Sequence, residues 1–215
     1  ISDPLTRGYQ TTVKLPMHTD GADILGLLCL KQASQGGENQ LCSAVAAYNK
    51  LAEHSPKIAQ YLLDAQWCLD WRGEEAEGEP PYYKTSIFTP VEGAVACFSV
   101  NAYILSAQRF DEVPRLTDAD KQALKAFDKA VWDEELVVRV RQEAGDILFL
   151  NNHYHLHARS EYEDAEDPYE KRHLRRLWLE SERWAGKGTK AMETLRHTSL
   201  SWERSEPPVR MWDHM

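Results

Sequence analysis

A chain of 215 residues is long enough for one domain with a substantial core and little more. Its 42% hydrophobic and 27% charged residues exclude a disordered or fibrous protein, and a formal net charge of −9 opposes binding to a phosphate backbone. No apolar stretch approaches the roughly 20 residues needed to span a bilayer, and the Cys at positions 29, 42, 68 and 97 lack metal or redox spacing, which predicts reduced thiols in a cytoplasmic setting.

In chain order, the β-branched run Thr11 to Leu15 before Pro16 reads as a strand, and Ile24 to Leu30 as a short buried one. Ser34 to Asn39 is a turn around Gly36 and Gly37. Ser43 caps a helix reaching Ala52, and Pro56 opens a second one toward Ala65. Arg72 to Pro81 is an acidic, solvated loop, followed by short strand-like runs between Thr85 and Leu105. Thr117 with Asp120 is a capping-box variant, and Leu124, Phe127 and Val131 give that helix its apolar stripe. Leu136 to Arg141, Ile147 to Leu150 and His173 to Leu179 complete the strands. Many short strands with few helices and no βαβ rhythm predict a mostly β, antiparallel fold with flanking helices. Residues 1–182 form the main domain, and 183–215 read as a tail or lid belonging to it.

Three segments carry chemistry. In His18-Thr19-Asp20, side chains at i and i+2 of an extended segment point the same way, so an imidazole and a carboxylate can converge on a divalent metal. Asn151 to Arg159 (NNHYHLHAR) begins where a core strand ends; His153, His155 and His157 share one side, so alternation alone leaves the ligand among them open. In Arg172 to Leu179 (RHLRRLWL), Arg172, Leu174, Arg176 and Trp178 face one way. Guanidinium groups among apolar neighbours call for an anion, either a bound carboxylate gripped by parallel hydrogen bonds or the Asp and Glu nearby.

Taken together, MHTDG at Met17 to Gly21, QGGEN at Gln35 to Asn39, GDILFLNNHYHLHAR at Gly145 to Arg159 and KRHLRRLWL at Lys171 to Leu179 resemble the TauD/TfdA family of iron(II), 2-oxoglutarate dioxygenases, within the clavaminate-synthase-like group. The resemblance implies a double-stranded β-helix, or jelly-roll. It also implies Fe(II) held by His18, Asp20 and His157 as the catalytic centre, and 2-oxoglutarate anchored by Arg172 with Asn39 and Arg176 beside it. Oxygen would take the last open metal position. The implied activity oxidises a small molecule by hydroxylation, desaturation or oxidative ring formation and releases succinate and CO2. Arg176 and Arg159 hint at an amino-acid-like or carboxylate-bearing substrate, with neither nucleic acid nor membrane as partner. Asp20 argues against the halogenases of the group, which lack that carboxylate. The runner-up reading is a jelly-roll binding protein whose metal site does not turn over.

Two features depart from the family pattern. Asn39 stands where many relatives carry Thr or Ser. Only seventeen residues precede His18, so either further chain precedes it or the substrate pocket is built differently.

Overall fold

The computed structural model describes residues 11–75, 77–184 and 186–187. The chain begins with strand β1 (Leu15–His18), then β2 (Ile24–Lys31), β3 (Gln35–Gly36) and β4 (Asn39–Ser43). Helices α1 (Ala44–His54) and α2 (Pro56–Asp64) follow. Next come β5 (Trp67–Asp70), β6 (Tyr82–Thr85), β7 (Phe88–Val91) and β8 (Ala94–Cys97), then α3 (Asn101–Ala107) and α4 (Asp118–Val131). The last strands are β9 (Val137–Val140), β10 (Ile147–Asn151), β11 (His155–Arg159), β12 (Tyr162–Glu163) and β13 (His173–Leu179).

The short strand β3 falls within the segment read as a turn, and β5 and β12 have no counterpart in the sequence reading; two further elements take a different form from it. The first strand starts where the expected one ended: residues 12–14 are not in a strand, and Pro16 lies within β1. Within β1 the registered partners are Leu15 with Arg159 and His18 with His157, and the register shifts between them, so Pro16 occupies an irregular stretch where its missing N–H is tolerated. Residues 101–105, read as strand-like, belong to α3, which packs against β5 and buries Ile104 and Ala107 at helical spacing.

The caps form as read. The Ser43 hydroxyl accepts from the Ala46 N–H, and Thr117 and Asp120 make the reciprocal pair of hydrogen bonds at the start of α4. Caps of this kind are worth about 1 kcal/mol each. All four cysteines are free and buried. No helix among the described residues is long and apolar enough to cross a membrane.

Two antiparallel sheets organise the molecule, with strand orders β1-β11-β4-β9 and β10-β2-β13. Alternation along β2 sends Leu25 and Leu27 inward, where they pack with Leu150 of β10 and against Leu41 of β4 and Leu174 of β13. That small core lies between the sheets. The other side of the first sheet, through Met17, Cys42, Leu156 and Ala158, joins a larger core with Leu62 of α2, Phe127 of α4, and Phe88. The first sheet is therefore packed on both sides, with β1 at its edge and β11 next to it. The outward face of the second sheet is apolar and exposed at Ile147, Phe149, Leu177 and Leu179.

The turn between β3 and β4 needs its glycines. Gly36 has φ +67°, and a Cβ there would lie 2.2 Å from the Glu161 carbonyl oxygen. Gly37 has φ +75°, and a Cβ there would lie 2.9 Å from the Arg172 Nε. Only a residue without a side chain allows the turn to pass this close to its neighbours.

Candidate metal centre

His18 ends β1 and faces His157 across the β1–β11 ladder. Asp20 follows two residues later, off the strand. These three residues, remote in sequence, each offer a ligand atom within 4.8 Å of the others. The His18 Nε2 is 4.0 Å from one Asp20 oxygen, and the His157 Nε2 is 3.8 Å from the other. The two imidazole centroids are 4.2 Å apart.

The protonation states suit a metal. The His18 Nδ1 lies 2.9 Å from the Pro16 carbonyl, which can only accept, so Nδ1 is the donor there and Nε2 is the nitrogen turned toward Asp20. Burial pushes the His157 imidazole down to about 3, with His18 adding to the effect and Asp20 opposing it. His157 is thus neutral near pH 7. Burial pushes the Asp20 carboxyl up, yet Arg176, then the two imidazoles and the Trp178 hydrogen bond outweigh it, and the net shift is below 3.8. Two imidazoles and one ionised carboxylate on one side of a space are the donor set of a facial triad, which would leave the remaining positions of an octahedral ion open. The residues present fit a divalent iron.

Asp20 is almost fully buried. The Arg176 Nη1 donates to both its oxygens at 3.2 Å, and the Trp178 Nε1 donates to one at 3.1 Å. Arg176 and Trp178 pair in register with Leu27 and Leu25, so both project from the inner face of β13, as the alternation predicted.

Arg172 and Asn39 form a second group. Arg172 precedes β13, donates to the Gly37 carbonyl at 3.2 Å, and lines a cavity with Asn39, Gln142, Cys29, Gly37 and Leu174. None of the three clustered ligands lines that cavity. The two groups are nevertheless neighbours on one sheet face. Asn39 pairs with Arg159 and Leu41 with His157, so Asn39 sits two ladder positions, about 7 Å, from the His157 level. Burial lowers the Arg172 pKa, with Tyr162, Cys29 and Asp164 opposing, but a guanidinium starts high enough to stay charged. The Asn39 amide donates to the Gln142 Oε1 at 2.7 Å, and Gln142 is itself anchored on the Leu27 carbonyl.

The other two histidines of the 151–159 segment have different roles. His155 lies in β11 with its Nδ1 3.0 Å from the Asn151 carbonyl. His153 lies in the turn before β11, fully buried, with its Nε2 2.8 Å from Asp23 and its ring stacked 3.9 Å from Trp184. Trp184 falls at the start of the segment read as a tail, and there the chain packs onto the body. Trp202 and Trp212 lie outside the described residues. Arg159, grouped with Arg176 as a substrate hint, is buried and donates to the Thr11 and Val13 carbonyls, so it holds the segment before β1. Tyr82 and Tyr83 pack against Phe110 and Trp71.

Sequence reasoning missed Trp178 as a partner of Asp20, and Gln142, Asn152 and the His153–Asp23 pair. The signal for Asn152 and His153 was present, because polar residues directly after a buried apolar strand must satisfy their hydrogen bonds inside the protein.

A mostly β protein with two facing antiparallel sheets and a His-Asp-His cluster between them is a double-stranded β-helix with a triad that could hold a metal ion. Comparisons agree on the fold. The chain is similar to an asparagine oxygenase solved with Fe(II), 2S,3S-3-hydroxyasparagine and succinate, with TM-score 0.61 and 15% identity, covering 80% of this chain and 51% of that one. It is also similar to the non-haem iron oxygenase OrfP solved with Fe and alpha-ketoglutaric acid, with TM-score 0.56 and 18% identity, covering 79% and 50%. A sequence profile described as "Taurine catabolism dioxygenase TauD, TfdA family" matches residues 3–178, and the chain belongs to that family. Relatives include FR-33289 synthase of Streptomyces rubellomurinus, 37% identical over 188 residues, which are 85% of this chain and 54% of that protein. Taurine hydroxylase-like protein SAT17 of Stachybotrys chartarum is 30% identical over 182 residues, 81% and 46% of the two chains. The chain spans about half the length of these relatives.

Proposed function

We propose that the chain is an iron(II)- and 2-oxoglutarate-dependent oxygenase acting on a small, amino-acid-like or carboxylate-bearing molecule, with release of succinate and CO2. The observation that carries this reading is the convergence of His18, Asp20 and His157 with donor atoms within 4.8 Å, beside a guanidinium. Membership of the TauD/TfdA family supports it. The presence of alpha-ketoglutaric acid in OrfP, and of an amino-acid product with succinate in the asparagine oxygenase, agrees with it.

When bound, iron, 2-oxoglutarate and oxygen together supply the oxidising power, and the protein supplies geometry. His18, Asp20 and His157 would hold the ion, each through one donor atom. Arg172 would pair with the far carboxylate of 2-oxoglutarate from a partly buried setting, where a charge-assisted, two-pronged contact is strong. Gln142 holds the Asn39 carboxamide in the same cavity, so Asn39 takes the role that a hydroxyl has in many relatives. Arg176 keeps Asp20 ionised and, with its side chain 42% exposed, presents a cation to an anionic group of the substrate.

The test is turnover. With Fe(II), oxygen and 2-oxoglutarate, the chain is expected to release succinate, faster when a panel of amino acids and related acids includes the substrate. No succinate under any condition, from a chain shown to bind iron, favours the binding-protein reading.

A further inference from the structure

We propose that Asn152 is a positioning residue that aims the Asp20 carboxylate, so that metal affinity depends on an amide that touches no metal. The proposal rests on the reading that the triad holds a divalent ion.

Asn152 is fully buried in the turn between β10 and β11, five residues before His157. Its Oδ1 accepts the Asp20 main-chain N–H at 3.1 Å. Its Nδ2 donates to the Asp20 carbonyl at 2.6 Å and to the Ala22 carbonyl at 2.7 Å. Its own N–H donates to the Asp23 carbonyl at 2.9 Å. One residue therefore grips the 20–23 segment four times and holds the peptide groups on both sides of the Asp20 Cα. With those groups fixed, the Cα–Cβ bond of Asp20 has one direction, toward the two imidazoles.

The arrangement is needed because Asp20 lies beyond the end of β1, where no ladder hydrogen bond holds it. His18 needs no such device, since it pairs with His157 in the sheet. Asn152 replaces the missing ladder and ties Asp20 to the β10–β11 connection that leads into the strand carrying His157. Next to it, His153 meets one oxygen of Asp23 at 2.8 Å, and the Ser181 N–H donates to the other at 2.7 Å, which secures the far end of the gripped segment. An asparagine has the donor and acceptor geometry to satisfy an N–H and two carbonyls at once, and burial makes each of these bonds costly to lose.

The test compares metal-free Asn152→Ala and Asn152→Asp with wild type and with Leu62→Ala, a core truncation in α2 remote from the triad. Each is titrated with Co(II), read by visible absorption, and its thermal midpoint is measured. Both Asn152 variants are expected to bind Co(II) about tenfold or more weakly, in line with losses seen for outer-sphere partners of metal ligands. Leu62→Ala is expected to lose thermal stability while keeping wild-type affinity. Asn152 variants that bind Co(II) no worse than Leu62→Ala overturn the proposal. A wild type that binds no cobalt refutes the triad reading, and the clamp with it; equal binding by wild type and variants refutes the clamp alone. Should neither Asn152 variant fold, hydrogen exchange of the metal-free wild type decides. An Asp20 amide protected like the sheet amides supports the clamp, and one exchanging at an open-loop rate overturns it.

Discussion

Burial of His157 makes a quantitative prediction about acid stability. Its imidazole is held down to about 3, against 6.5 when exposed in the unfolded chain. A depressed histidine favours the neutral form, so its stabilising contribution is complete above 6.5 and is lost as pH falls toward the folded value. Between about pH 7.5 and pH 5 the unfolded imidazole takes up a proton that the folded one refuses. The cost is about 1.4 kcal/mol per pH unit below 6.5, or about 2 kcal/mol at pH 5. The assay is urea denaturation of the metal-free protein at the two pH values, compared with His157→Gln, whose side chain does not titrate. Wild type is expected to lose about 2 kcal/mol more than the variant over this range. Equal losses would show that His157 protonates freely in the folded state, and the argument for a neutral, metal-ready imidazole would fail. Asp20 acts in the same direction at lower pH: held below 3.8, it stabilises above that value and loses the contribution as pH falls through the depressed one.

Three further outcomes are expected. Asp20→Ala removes the only carboxylate of the triad and is expected to abolish iron-dependent succinate release; normal release by that variant refutes the ligand assignment. Arg172→Ala is expected to weaken 2-oxoglutarate binding at least tenfold while changing Fe(II) affinity by less than twofold, as read by separate titrations, on the scale of a lost charge-assisted contact. Gly37→Ala puts a Cβ 2.9 Å from the Arg172 Nε and is expected to raise the KM for 2-oxoglutarate several-fold with metal affinity intact; an unchanged KM would detach Arg172 from the cosubstrate.

Much of the fold was legible because its signals are local. The caps at Ser43 and Thr117 and the apolar runs of β2 and β10 are written in adjacent residues. The extent of β1 was not, because Pro16 weakens a strand signal locally while pairing with a distant strand, β11, restores it. The helical state of 101–105 was hidden for a similar reason, since its sequence fits either period and packing on β5 decides. At the site, alternation could not choose among His153, His155 and His157. The structure separates them by position: one buried against Asp23, one bonded to the Asn151 carbonyl, and one facing His18. The pairing of Asn152, Arg176 and Trp178 with Asp20 was not legible, because they lie 132, 156 and 158 residues away from it, although the polar run after β10 and the shared face of Arg176 and Trp178 were.

The most direct measurement is an anaerobic titration of the metal-free chain with Fe(II), followed by 2-oxoglutarate, read by visible absorption. Chelation of iron by both the protein triad and the keto acid should give a broad charge-transfer band that needs both additions and is missing in Asp20→Ala. A chain that gives no band, or one that Asp20→Ala gives equally well, contradicts an iron centre built on His18, Asp20 and His157.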